Sequence, residues 1–371
     1  MEINNLEMIS FRNHRKINID FDPGLTIIWG ENGSGKTSIL EAIHSLSYGK
    51  SFRTNNKKDL IKKGSDFFFI KGCFKNTENF NNTVSLSQDI KGNKKIQIDN
   101  KIIKKRKDLF GLNNVVVFSP EEEGITKGTS LFRRNYFNRI FSICSYDYLN
   151  SLLLYNKTIK QRNSILKNKN SLFEKEKELK IWDKPFCVNG LSLWKKREIF
   201  MNSFIDLFLK TVTDFDENLL LSAKYDLKIK TNKDFFKKIK KNRDIDLAKK
   251  YTSFGPHKDD VVFLWKNRKI KNHGSQGEHK IFLALLKITE YIFLSNKTKK
   301  TPIFLIDDMF ANLDKERSKK LLRFIEKIKN KNKEISQTII TTTNIVNIKE
   351  NGFFMEFDDI KKHHLVKNGT A

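Results

Sequence analysis

The chain has little cysteine, no long apolar run and too few acids to balance its bases. Its three cysteines, Cys73, Cys144 and Cys187, are odd in number, far apart and in no CxxC pattern. That excludes a disulfide framework or a cysteine-based zinc site and fits a reducing compartment. No stretch reaches the roughly 18 apolar residues a membrane helix needs. The longest candidate, Ile281 to Leu294, is interrupted by Lys287, Thr289 and Glu290 and reads as a buried helix. The N-terminus lacks a basic segment followed by an apolar core, so no secretory signal is expected. Internal repeats are also missing. The expected setting is cytoplasmic, with no membrane partner.

What is present suits a soluble protein of two or three domains: 371 residues, 38% hydrophobic and 31% charged. Lys and Arg number 71 against 43 Asp and Glu, leaving +28, a balance that favours a polyanionic partner. No aromatic–basic pattern or recognition helix indicates base reading. Contact with nucleic acid is therefore expected through the phosphate backbone, independent of sequence and steeply salt-dependent. Two basic runs stand out, Lys57, Lys58, Lys62 and Lys63, and Lys104 to Lys107 through Lys105 and Arg106. Such runs usually are solvated faces, and they form a groove only if they share one surface.

Hydrophobic periodicity divides the chain. Ile17, Ile19 and Phe21 alternate with polar residues, and Leu25 to Trp29 is continuously apolar, as in a strand buried on both faces. Phe67–Ile70, Val84–Ser87 and Ile96–Ile98 read as further strands, with Asp99-Asn100 as a hairpin tip. Val115–Phe118 is another strand. From Thr129 to Lys250 the pattern is helical and charged, with an apolar stripe at Phe200, Phe204, Leu207, Phe208 and Val212. Strands return at Val261–Trp265, Ile303–Ile306 and Thr338–Thr342, and the basic tail from Lys361 is expected to be loose. The predicted domains are 1–128, 129–250 and 251–371: two strand-rich lobes separated by an inserted helical arm.

Gly30-Glu31-Asn32-Gly33-Ser34-Gly35-Lys36-Thr37 fits GxxxxGK[ST] between an apolar strand and a helix. Its glycines let backbone N–H groups turn onto phosphate oxygens at the positive end of the helix. Lys36 is expected to reach the β- and γ-phosphates of ATP, and Thr37 to ligate Mg²⁺. Ile303 to Ile306 ends in Asp307-Asp308, two acids at the C-terminal end of a buried strand, where ligand crevices lie. Asp307 is assigned to the Mg²⁺ shell and Asp308 to the attacking water. Ser275-Gln276-Gly277 opens an apolar helix and offers a second anion-binding helix tip. It has a use if a second subunit brings it over the γ-phosphate. Phe310-Ala311-Asn312-Leu313-Asp314 matches the loop that crosses the dimer interface in ATP-binding-cassette heads.

These pieces resemble the RecF family, within the SMC-like and ATP-binding-cassette heads. Further segments carry the likeness: Phe11-Arg12-Asn13-His14, Gly49-Lys50-Ser51-Phe52-Arg53, Ser119-Pro120-Glu121, Lys127-Gly128, Arg133-Arg134, Gln161-Arg162-Asn163 and Gly255-Pro256-His257-Lys258-Asp259-Asp260. The resemblance implies an α/β fold: a P-loop NTPase of cassette or SMC-head type, a mixed sheet core with an antiparallel β subdomain, plus the helical arm. It implies an ATP-dependent homodimer and DNA-dependent ATPase that clamps duplex DNA at gaps and single–double strand junctions, and that helps RecR and RecO load RecA. Arg12 and Asn13 resemble residues at the ATP phosphates. Arg53 and the pair Arg133-Arg134 are candidates for phosphate, DNA or partner contact. His257 with Asp259 and Asp260 reads as a polar Gly-Pro turn, with a metal site as the alternative.

Two departures matter. His279 stands where relatives often carry Gln. Thr341-Thr342-Thr343 takes the place of a γ-phosphate-sensing His, with Thr342 chosen as the catalytic hydroxyl; a hydroxyl cannot serve as acid or base near neutrality, so slow hydrolysis is expected. The competing readings are a transporter's ATPase subunit, a scaffold with a vestigial ATPase, and a short SMC-like head. The arm and the missing LSGGQ oppose the first, the intact Lys36, Thr37, Asp307 and Asp308 the second, and the lack of long heptads the third.

Overall fold

Alternation at the start of the chain becomes an antiparallel sheet in the computed structural model, which describes residues 1–75, 80–227, 229–308, 315–331, 337–343, 360–366 and 369–370. Its strands are β1 (Glu2–Phe11), β2 (His14–Asp20), β4 (Phe67–Lys75), β5 (Asn81–Asp89), β6 (Lys94–Ile98) and β7 (Lys101–Ile102), in the order β2-β1-β4-β5-β6-β7. The predicted tip at Asp99-Asn100 is there, both residues having positive φ (48° and 64°), as a tight hairpin turn demands.

A second sheet has its buried centre in the apolar segments at Leu25–Trp29, Val115–Phe118, Ile303–Ile306 and Thr338–Thr342, as expected for parallel strands. It comprises β3 (Leu25–Gly30), β8 (Val115–Phe118), β12 (Ile303–Asp307), β13 (Thr338–Thr342), β14 (Ile360–Val366) and β15 (Gly369–Thr370), ordered β15-β14-β3-β13-β12-β8. All neighbours are parallel except β15, so the sheet is mixed. The segment from Lys361 is thus not a loose tail. It pairs along β3, Leu365 is buried, and Lys361 Nζ lies 3.0 Å from Asp22. Helices α1 (Lys36–Tyr48), α9 (Gln276–Thr298) and α10 (Lys315–Lys331) belong to the same unit, and α9 buries the predicted Ile281–Leu294 face.

That unit is Met1–Glu123 with Ser275–Ala371; a second comprises Gly124–Gly274. The second holds α2 (Gly124–Lys127), α3 (Ser130–Cys144), α4 (Tyr146–Lys167), α5 (Leu172–Phe215), β9 (Leu221–Lys224), α6 (Asn232–Lys241), α7 (Arg243–Lys249), β10 (Val262–Trp265), β11 (Arg268–Lys269) and α8 (Ile270–His273). α5 begins with a capping box between Ser171 and Glu174, and Phe204, Phe208 and Val212 of the predicted stripe are buried. Residues 251–274, expected in the C-terminal lobe, group with the helices instead. The cause is pairing and charge: β10 pairs with β9, and Asp259 and Asp260 are held by arginines of the helices.

The smaller candidates of the arm are engaged within the chain. Arg133 gives Nε and Nη2 to the two oxygens of Asp260, at 2.7 and 2.9 Å, and Arg134 Nη1 donates to the Asp259 carbonyl at 2.6 Å. Asp259 Oδ2 accepts from Arg197, Trp194 and Tyr225 at 2.6, 2.7 and 2.8 Å. His257 accepts from the Tyr155 hydroxyl at 2.7 Å and donates to the Thr252 carbonyl at 2.8 Å. This hydrogen-bonded network, partly buried and exposed at Asp260, fixes the turn. Among the described residues no group of three or more His, Cys, Asp or Glu is arranged to hold a metal.

Candidate nucleotide-binding site

Gly30 closes β3, and Gly35 caps α1 at φ 99°. Both positions exclude a side chain. A Cβ on Gly30 would lie 2.2 Å from the Leu365 carbonyl oxygen, and one on Gly35 would lie 2.2 Å from His14 Nε2. The loop between them folds on itself, with Ser34 N–H donating to the Glu31 carbonyl at 3.2 Å. The Ser34 hydroxyl is buried without a protein partner, as expected of a loop built to hold a polar ligand.

Lys36 and Thr37 begin α1, directly after the loop. The Lys36 ammonium donates to the carbonyls of Gly30 and Glu31, at 2.7 and 2.8 Å. Burial pulls its pKa below the ordinary lysine value, opposed by the charges of Asp308 and Asp307. Thr37 Oγ1 donates to Asp307 Oδ1 at 2.8 Å. Asp307 ends β12 and is further held by Ser119 Oγ at 3.1 Å and Thr341 Oγ1 at 2.8 Å. Asp308, at φ 40°, turns out of the strand; burial first, and then Asp307, raise its carboxyl above the ordinary range.

A cleft of about 550 Å³ opens here. Arg12, Asn13, Asn32, Gly33, Gly35, Lys36, Thr37, Asp307 and Asp308 line it, as do Arg53, Lys62 and Lys63. Backbone N–H groups, an ammonium and a hydroxyl–carboxylate pair suit a phosphate chain with a hard cation. Thr37 Oγ1 and Asp307 Oδ1 are both oxygen donors, as Mg²⁺ prefers. Having few protein ligands is also in character, because Mg²⁺ keeps waters and shares phosphate oxygens.

The β1–β2 turn is fastened onto this loop. Asn13 Nδ2 donates to the Gly33 carbonyl at 3.0 Å, and His14 Nε2 to the Gly35 carbonyl at 3.1 Å. Arg12 lines the cleft, but its guanidinium is engaged by Glu41 of α1, with Nη1 on the Asp59 carbonyl at 2.8 Å. Arg53 lies 3.8 Å from Glu41 and 3.4 Å from Glu121, and Ser51 also donates to Glu41.

Thr342 does not reach Asp307, and the helix tip assigned to a partner's site lies outside this cleft. Thr341, not Thr342, reaches Asp307, and strand alternation directs the Thr342 side chain to the opposite face. Ser275, Gln276 and Gly277 do not line the cleft; Ser275 caps α9 in a reciprocal capping box with Glu278, and its side chain and that of Gln276 are exposed. The interface loop Phe310–Asp314 lies outside the described residues. In the sequence His14 and Ser119 are legible only as members of RecF-like segments, without a role, and Glu41 and Lys280, whose charge acts on Asp308, are given none. Glu41 leaves a signal as an acid inside the apolar segment Ile39-Leu40-Glu41-Ala42-Ile43.

Similarity to known proteins follows this geometry. Residues 2–364 match the family described as RecF/RecN/SMC N terminal domain. The DNA replication and repair protein RecF of Clostridium tetani is 32% identical, covering 94% of this chain and 95% of that protein. RecF of Leptospira interrogans is 32% identical over 100% of this chain and 99% of that protein. The solved structure of the recombination mediator protein RecF-ATP superposes with a TM-score of 0.85 at 26% identity, covering 100% and 96% of the two chains. An Smc head bound to the C-terminal winged-helix domain of ScpA shares the fold, with a TM-score of 0.54 at 18% identity, covering 98% and 94%. With its phosphate loop, acidic strand end and inserted helical unit, the chain belongs to the RecF family, among the SMC-type ATPase heads.

Proposed function

We propose that this protein is an ATP-dependent DNA-binding ATPase of recombinational repair, acting in the cytoplasm. The observation that carries the reading is the Thr37–Asp307 hydrogen bond at 2.8 Å, which joins the phosphate loop to the acidic strand end in one cleft. ATP would lie with its phosphates against the N–H groups of Gly33 to Thr37 and its γ-phosphate near Lys36. Mg²⁺ held at Thr37 and Asp307 would neutralise phosphate charge when bound. Asp308 orients a water and takes its proton as the water oxygen attacks the γ-phosphorus and the bond to ADP breaks. Its raised pKa suits a base. Among the described residues no histidine lines the cleft to complete a relay, and slow turnover follows.

Among the described residues, the helix tip at Ser275–Gly277 does not line the cleft of its own copy. It supplies a donor group over the γ-phosphate when a second copy docks, so ATP closes a homodimer by binding the closed state better than the open one. The pair of helical units then embraces duplex DNA near gaps and junctions without reading sequence, and RecR and RecO act with it to load RecA. The net charge of +28 supports the polyanionic partner. The inserted unit Gly124–Gly274 and the match of residues 2–364 to the RecF/RecN/SMC family favour this reading over a transporter's ATPase subunit. Sedimentation velocity with ATP and duplex DNA tests this reading. Wild type should dimerise and Lys36→Ala should stay monomeric; a wild type that stays monomeric at saturating ATP would sink the mechanism.

A further inference from the structure

Three cations from three separate elements gather around the C-terminal end of α1. Lys94, on β6, donates Nζ to the Gly49 carbonyl at 2.5 Å. Arg106, opening the 3-10 turn Arg106–Leu109, lays its stem over Gly49, where an added Cβ would lie 2.7 Å from Arg106 Cγ. Lys57 opens the turn Lys57–Leu60; its carbonyl accepts from Gln88 Nε2 at 3.4 Å, and Gln88 is the strand partner of Lys94. One residue of each basic run, Lys57 and Arg106, is therefore brought together with Lys94 at the antiparallel sheet, while Lys62 and Lys63 of the first run line the nucleotide cleft.

No carboxylate among the described residues pairs with Lys57, Lys94 or Arg106. One cation is enough to complement the negative end of α1. The other two have no such role, and no ion pair among the described residues offsets their like charge. The strain is visible at Lys94, whose pKa is pushed down to about 8 by burial and by the charges of Arg106 and Lys57. Like charges from three elements, partly exposed and lacking counter-ions, are the footprint of an external polyanion.

We infer that the face formed by Lys57, Lys94 and Arg106 is a contact surface for the phosphate backbone of duplex DNA. It places DNA contact on the antiparallel sheet as well as on the helical unit, and it rests on the DNA binding proposed above. An extended backbone fits better than a free phosphate, because the face is open and its donors are spread over three elements rather than enclosing one point.

The test is a salt titration of a short fluorescent DNA duplex by anisotropy, with ATP present. Each backbone phosphate neutralised adds roughly 0.9 to the slope of log affinity against log salt. Lys94→Gln/Arg106→Gln should therefore lower the slope by roughly 2 and weaken binding at ~0.1 M salt by roughly 10- to 100-fold. Affinity for a fluorescent ATP analogue should be unchanged, which shows the fold intact. If the double variant does not fold, the single variants should each lower the slope by roughly 1. An unchanged slope with wild-type duplex affinity would overturn this surface alone. Competitive displacement of the duplex by millimolar inorganic phosphate, lost in the variants, would also overturn it, by assigning the face to a free anion. A wild type that binds no duplex at any salt would overturn the DNA-binding reading and this surface with it.

Discussion

Arg12 places Nε and Nη2 on the two carboxylate oxygens of Glu41, at 2.7 and 2.6 Å, so an arginine expected at the phosphates is tied to the helix behind the phosphate loop. Glu41 is fully buried and is the shared acceptor of Arg12 and Ser51, with Arg53 nearby. Removing a buried acid strands its partners, which typically costs about 3–5 kcal/mol. Glu41→Ala should lower stability by that order in urea unfolding. Glu41→Gln keeps two acceptor–donor contacts and should cost less. Equal stability of wild type and Glu41→Ala would show the cluster to be energetically idle.

Asp308 gives a kinetic prediction. Asp308→Asn should bind nucleotide as wild type does, while kcat falls by about 10²- to 10⁴-fold. The sign of the pH dependence follows from the raised carboxyl pKa, caused by burial and then by Asp307 against the opposing charges of Lys36 and Lys280. The ionised form is the base. Turnover should therefore be full above the raised pKa and should decline as pH is lowered through it, beginning at higher pH than for an ordinary aspartate. A pH–kcat profile flat down to the ordinary range would remove Asp308 from the role.

His14 is a positioning residue. Burial lowers its pKa, so the ring is neutral at neutral pH, and its Nε2–H fixes the carbonyl of Gly35. Losing one such bond costs about 0.5–1.5 kcal/mol. His14→Ala should weaken nucleotide affinity roughly 3- to 10-fold in an equilibrium titration. His14→Gln, which restores an N–H donor, should recover part of it. No change in affinity for His14→Ala would mean that the loop holds its shape unaided.

In the helical unit, His257 makes stability pH-dependent. Burial pushes its pKa from 6.5 down to about 4. Between those values the unfolded chain binds a proton that the folded chain refuses. Stability is therefore full above about pH 6.5 and is lost as pH falls to about 4, by roughly 3 kcal/mol in all. Urea midpoints of wild type and His257→Gln should converge over that window as pH drops. Parallel curves would show that the ring is not held neutral.

Much of this was legible from residue order. The strands Val115–Phe118 and Thr338–Thr342 match β8 and β13, because continuous β-branched runs can only be buried in a sheet. Lys36, Thr37, Asp307 and Asp308 are brought together as spacing and context required. What escaped notice depends on the third dimension. His14 matters only because the β1–β2 turn lands on Gly35, and Thr341 replaces Thr342 only because strand register decides which hydroxyl meets Asp307. The segment after Lys361 looked too basic to pack, yet its backbone found an open edge of β3. Charge composition describes a surface; it does not say whether a neighbouring strand lacks a partner.

The sheet order has a consequence for how the chain is made. β3 is among the first strands to leave the ribosome, but both of its neighbours, β13 and β14, come from the far end. The Gln337 side chain grips Ile3 across 334 residues, donating to its carbonyl and accepting from its N–H. Loop closure over such a distance is slow and comes late. Until then the nascent phosphate loop hangs from an unpaired strand, and the helical unit, contiguous in sequence, is free to fold first. A translation product halted before residue 337 would carry every residue from Gly30 to Thr37 and still lack a finished cradle, so competence for nucleotide arrives only as synthesis nears its close.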